Sequence, residues 1–130
     1  MKKIAISALF ATLLASGSAF ADSTTICPKT ASDPKAGPGT SPAAGTAGVH
    51  YMMRAISPNC SANTNVAGVD GTSGAWYSVG SNSTKGKNNF AGHTNGGAVA
   101  ATVACAIPGG CTKDEAETAR TTANTAAGST

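Results

Sequence analysis

Beyond residue 21, apolar positions come in short pieces with a two-residue period, separated by turn residues. The clearest piece is Ala98–Ile107. Val99, Ala101, Val103, Cys105 and Ile107 alternate there with Ala98, Ala100, Thr102, Ala104 and Ala106. That period belongs to a strand, so the segment predicts one that buries the first set and presents the second as a nearly flat face of small side chains. Shorter pieces precede it: Val66-Ala67-Gly68-Val69, then Ala75-Trp76-Tyr77-Ser78-Val79, then Phe90. Asp70-Gly71 and Thr94-Asn95-Gly96-Gly97 carry hairpin turn signals, and the polar stretch 81–89 reads as a loop. Val49–Ile56, rich in β-branched and aromatic residues, predicts a further strand that ends at Ser57-Pro58-Asn59.

The period changes once. Thr112 followed by Glu115 forms a capping box, Asp114, Glu115 and Glu117 crowd the first turns where the helix dipole favours anions, and Gly128 can end the run. A helix over Lys113–Ala127 is predicted, with Ala116, Ala119, Ala123, Ala126 and Ala127 as a narrow stripe of small residues. So short a helix is marginal alone and must dock closely on something. The fold expected is mainly β: a small antiparallel sheet or sandwich with an extended N-terminal arm and a short C-terminal α-helix.

The first 21 residues read differently. Lys2 and Lys3 open them, an apolar run Ile4–Ala15 follows, and Ala19-Phe20-Ala21 supplies an A-x-A cleavage site. This is the layout of a bacterial secretory signal, too short in its apolar part to span a bilayer. Residues 22–48 hold Pro28, Pro34, Pro38 and Pro42 among small residues and read as an extended arm. Residues 49–130 make the single small domain.

Composition sharpens this layout. Of the 109 residues after the signal, 69 are Ala, Thr, Gly, Ser or Asn, and Leu is absent. Val, Ile and Phe together number ten, too few for an ordinary core. A multi-domain enzyme, a membrane-spanning protein and a coiled coil are excluded. Seven Lys/Arg face six acids over the same residues, for a net +1. That balance offers no basic face for nucleic acid, and weak charge does not hold copies apart.

Cys27, Cys60, Cys105 and Cys111 form an even set behind an export signal, so disulfides are expected. Four cysteines allow three pairings. The Pro-Gly-Gly turn inside Cys105–Cys111 can bring its ends together, which leaves Cys27 with Cys60. A metal site is not expected: no C-x-x-C pair occurs, and His50 and His93 lie in unrelated segments.

No catalytic set emerges. Gly71-Thr72-Ser73-Gly74 lacks the glycine spacing of a nucleophile elbow, and the Lys85/Lys87 loop departs from a phosphate loop. No cofactor is implied. The expectation is a secreted structural subunit that assembles with copies of itself into an extracellular filament, fimbria or surface layer. Its contact residues would be Ala98, Ala100, Thr102, Ala104 and Ala106, joined by Trp76 and Tyr77. The arm at 22–48 could complete a neighbour's sheet. The alternative is a monomeric periplasmic or secreted binding module that uses the Trp76/Tyr77 region to recognise a small ligand or protein.

Overall fold

The computed structural model describes residues 22–29 and 32–130; the expected signal segment, 1–21, lies outside them. Within the described residues the strands are β1 Ser23–Cys27, β2 Gly37–Pro38, β3 Asn59–Cys60, β4 Thr64–Asp70, β5 Tyr77–Ser83, β6 Asn88–His93 and β7 Ala100–Ala104, followed by the helix α1 Lys113–Ala127. Five strands make one sheet in the order β1-β4-β5-β6-β7, with every neighbouring pair antiparallel. β2 and β3 pair separately. The protein is thus mainly β with a C-terminal helix, as the periodicity predicts.

One face of the sheet is built for a close-lying helix. Ala67 of β4, Gly80 of β5 and Ala91 of β6 stand side by side in register, and Ala116, Ala119, Ala123 and Ala127 of α1 are buried against the sheet. A Cβ at Gly80 would fall on the Ala116 carbonyl and the Arg120 backbone, so only glycine admits the helix at this separation. Short distance thereby replaces large side chains as the means of burial. The helix starts as expected, with Thr112 accepting from the Glu115 N–H while the Glu115 carboxylate accepts from the Thr112 N–H. Ala126, placed in the stripe by spacing, is exposed.

The opposite face is covered over its β1–β4 side by the residues that follow β1. Ile26, Cys27 and Cys60 form a small buried cluster with Val66 against it. Both expected disulfides are formed. Cys27 and Cys60 lie 5.7 Å apart at Cα, and Cys105 and Cys111 lie 5.1 Å apart.

Three expectations need correction. Val49–Ile56 forms no strand but a strap outside the sheet, with Val49, Tyr51, Met53 and Ile56 exposed. The position beside β4 that it would need is held by β1, which the Cys27–Cys60 bridge pins. The strap is fastened instead by buried Asp70, whose Oδ1 accepts the Tyr51 N–H at 2.8 Å and whose Oδ2 lies 3.5 Å from His50 Nδ1. The arm is not simply extended: it adds β1 to this chain's own sheet, and its Gly37–Pro38 pairs with Asn59–Cys60. The loop expected over 81–89 shrinks to the four residues 84–87 between β5 and β6, because asparagines inside it find partners across the strands.

Candidate functional site

β7 is the surface on which the assembly expectation rests, and the structure places it at the outer edge of the sheet. All five of its residues are exposed. The register with β6 runs Ala91↔Ala100 and Phe90↔Ala101, then slips, so that Asn88 meets Ala104. Three steps along β7 therefore oppose two along β6, a bulge that carries one extra residue. It breaks the strict alternation within β7, and three members of the apolar set expected to be buried are exposed before, within and after it: Val99 is 74%, Val103 68% and Ile107 57% exposed. Ala98, Ala100, Thr102, Ala104 and Ala106 are exposed as well. The segment presents small side chains as expected, but it does so as a bulged edge and not as one face of a buried strand.

What holds this edge was not legible in the chain. Asn65, Asn82 and Asn89 are buried beneath the helix start and form a row across the sheet. The Lys29 N–H donates to Asn65 Oδ1 at 2.7 Å; Asn65 Nδ2 donates to Asn82 Oδ1 at 2.9 Å. Asn82 Nδ2 donates to Asn89 Oδ1 and to the Thr112 carbonyl, both at 2.7 Å. The row ends where Asn89 Nδ2 donates to the Val103 carbonyl at 3.1 Å, inside the bulge. A second tether comes from α1. Glu115 Oε1 accepts the Ala106 N–H at 2.7 Å, and Oε2 accepts the Thr112 N–H at 2.6 Å. These donors hold the Glu115 carboxyl below its usual range, the Ala106 N–H first among them. The Cys105–Cys111 bridge and the Cys105 N–H to Lys87 carbonyl bond, 2.8 Å long, complete the anchoring.

No family model, curated protein or solved structure matches the chain.

Trp76 and Tyr77 are absorbed by the chain's own packing. The Trp76 indole N–H donates to Asn124 Oδ1 at 2.8 Å, on the helix side. Tyr77 points to the other face, buried, with its ring where a side chain on Gly68 would otherwise stand. Burial, helped by the Asp70 charge and partly offset by Arg120, pushes the Tyr77 phenol up to about 12. Neither ring joins the free surface at β7.

Other groupings carry less chemistry. Asp70 opens on the face away from α1, so it does not converge with the helix acids, and it serves the strap. Ser73 sits exposed in the turn Thr72–Gly74 with φ 55. A depression of about 450 Å³ at the helix start is walled by Lys29, Thr84, the 107–112 loop and Lys113, whose ammonium lies 3.4 Å from Asp114 and 3.6 Å from Glu117. Among the described residues no group of three or more His, Cys, Asp or Glu could hold a metal ion, and no helix is long and apolar enough to cross a membrane.

Proposed function

We propose that the protein is a secreted structural subunit whose copies assemble into an extracellular filament, fimbria or surface layer, with β7 as the adhesive edge. One observation carries this reading. Among the described residues β7 is an edge strand with no strand on its outer side, exposed throughout, in a stretch without a single Lys, Arg, Asp or Glu between Lys87 and Lys113. Exposed edges offer ready-made hydrogen-bonding groups to another chain, and proteins that must stay monomeric guard them with charge, above all lysine. This edge carries a bulge but no charge, and it is braced on its inner side by the Asn row, Glu115 and a disulfide. Bracing lowers the entropic cost of ordering the strand when a partner arrives. The two disulfides suit an oxidising destination such as the one the leader at 1–21 implies.

Electron microscopy of the exported, oxidised protein tests the reading. Wild-type chains should form filaments or sheets. Ala104→Arg should be exported and folded, because the site is exposed, yet remain dispersed. Lys85→Glu, in the turn between β5 and β6, should assemble normally. A dispersed wild type would overturn the assembly reading.

A further inference from the structure

The two ends of the sheet are unequal among the described residues. At β1 the outward carbonyl of Ile26 already accepts the Thr40 N–H at 2.9 Å, and Cys60 is bridged to Cys27 beside it. The arm thus covers the far half of that edge. β7 has no such cover. The carbonyls of Lys87 and Asn89 both face β7, since they accept the Cys105 N–H and the Thr102 hydroxyl. Alternation along β6 then turns Ala91 the same way, and its partner Ala100 turns inward to meet it. Ala101, the next residue, directs its N–H and C=O outward, and so does Ala104, which precedes the inward-facing Cys105.

We propose that β7 is an isologous edge through which two copies of this chain pair, antiparallel about a two-fold axis, into one continuous ten-stranded sheet. This rests on the assembly reading and adds that strand pairing closes at two copies, so that the larger assembly is built from dimers. Three observations select a second copy's β7 as the occupant. Addition to a neighbour's β1 is obstructed by the Thr40–Ile26 bond. In a five-stranded antiparallel sheet β1 and β7 run in the same direction, so copies stacked the same way round would also meet in a parallel junction, the less stable pairing. Finally, a two-fold contact sets each group close to its own copy, which an edge free of charge from residue 88 to residue 112 permits without repulsion. The Cys27–Cys60 bridge also keeps β1 from leaving its sheet to pair elsewhere.

The test uses the mature chain with both disulfides intact, followed by native mass spectrometry and amide hydrogen exchange over a dilution series. The expected result is a dimer whose formation protects the amides of Ala101 and Ala104 and leaves the β1 amides unchanged. Ala101→Lys and Ala101→Glu should each weaken the dimer at least tenfold, because the two-fold axis brings like charges together. A mixture of the two variants should restore pairing as the heterodimer, and Ser23→Lys on the opposite edge should have no effect. Circular dichroism confirms that each variant is folded; should Ala101→Lys fail to fold, the same charge pair at Ala104 takes its place. A monomer at every concentration, a dimer that leaves β7 amides unprotected, or variants that do not complement each other would overturn the proposal. Dimers that never grow further would support the β7 pairing while refuting the filament reading, and filaments with unprotected β7 amides would leave assembly standing while refuting β7 as its edge.

Discussion

Replacing Asn82 by Leu removes the centre of the buried row while roughly keeping its volume. Asn82 is only 4% exposed and makes three hydrogen bonds: one accepted from Asn65 Nδ2 and two donated, to Asn89 Oδ1 and the Thr112 carbonyl. Leucine makes none. Each partner left unsatisfied in a buried site costs about 1–3 kcal/mol. Three such losses, eased by partial rearrangement, put the expected destabilisation at about 3–6 kcal/mol. Small domains have only about 5–15 kcal/mol in total, so the variant should be severely weakened. At about 4–8 °C per kcal/mol, the lower bound already lowers Tm by more than about 10 °C. The measurement is urea unfolding of oxidised protein, followed by far-ultraviolet circular dichroism. Asn88→Ala, one residue from the row but exposed, is the control and should change stability by no more than about 0.5 kcal/mol. A double-mutant cycle between Asn65→Ala and Asn82→Ala should show coupling of at least about 1 kcal/mol. An Asn82→Leu loss below about 1 kcal/mol would falsify the view that the row bears on stability.

Gly80→Ala should cost about 1–3 kcal/mol or more in the same unfolding assay, because the added methyl meets helix backbone that cannot rotate away; a neutral effect would mean that α1 does not lie on β5 as described. Tyr77 has its folded pKa raised from 10.0 to about 12, so burial of the neutral phenol contributes stability in full below pH 10, and this contribution is lost as pH rises toward 12. Ultraviolet titration of a Tyr51→Phe variant, which leaves Tyr77 as the single tyrosine, should show ionisation delayed into that window; ionisation at the ordinary value would contradict the burial. Serine replacement of Cys27 and Cys60 should destabilise more than replacement of Cys105 and Cys111, since loop closure assigns about 3.8 and about 2.4 kcal/mol to the longer and shorter loops. Chemical denaturation of the two double variants gives the order, and a reversed order would place the weight on local anchoring of β7 rather than on loop length.

The sequence by itself determined the elements whose signals are local. The capping box at Thr112 and Glu115 and the dense alanines set α1 to its first and last residue, because a helix start depends on groups three positions apart. The Pro-Gly-Gly turn sufficed for Cys105–Cys111, and pairing by elimination then joined Cys27 to Cys60. Turn residues near 71 and 96 marked two of the sheet's hairpins, though not the longer extent of β5 and β6.

Only the tertiary structure decided the rest, since each remaining feature depends on groups far apart in the chain. The Asn row joins positions 65, 82 and 89, which come into line through strand register, and polar residues in a short stretch read as a loop until that register is known. Val49–Ile56 has the composition of a strand but no edge to occupy, because β1 arrives beside β4 first in space and is bridged there. The alternation of 98–107 is real in the sequence, yet alternation says which residues share a face and not whether anything covers it. Among the described residues nothing covers the side chains of Val99, just before β7, or of Val103, within its bulge, and both stay exposed. Residue spacing encodes local geometry, whereas burial is a property of what the rest of the chain brings to the same place.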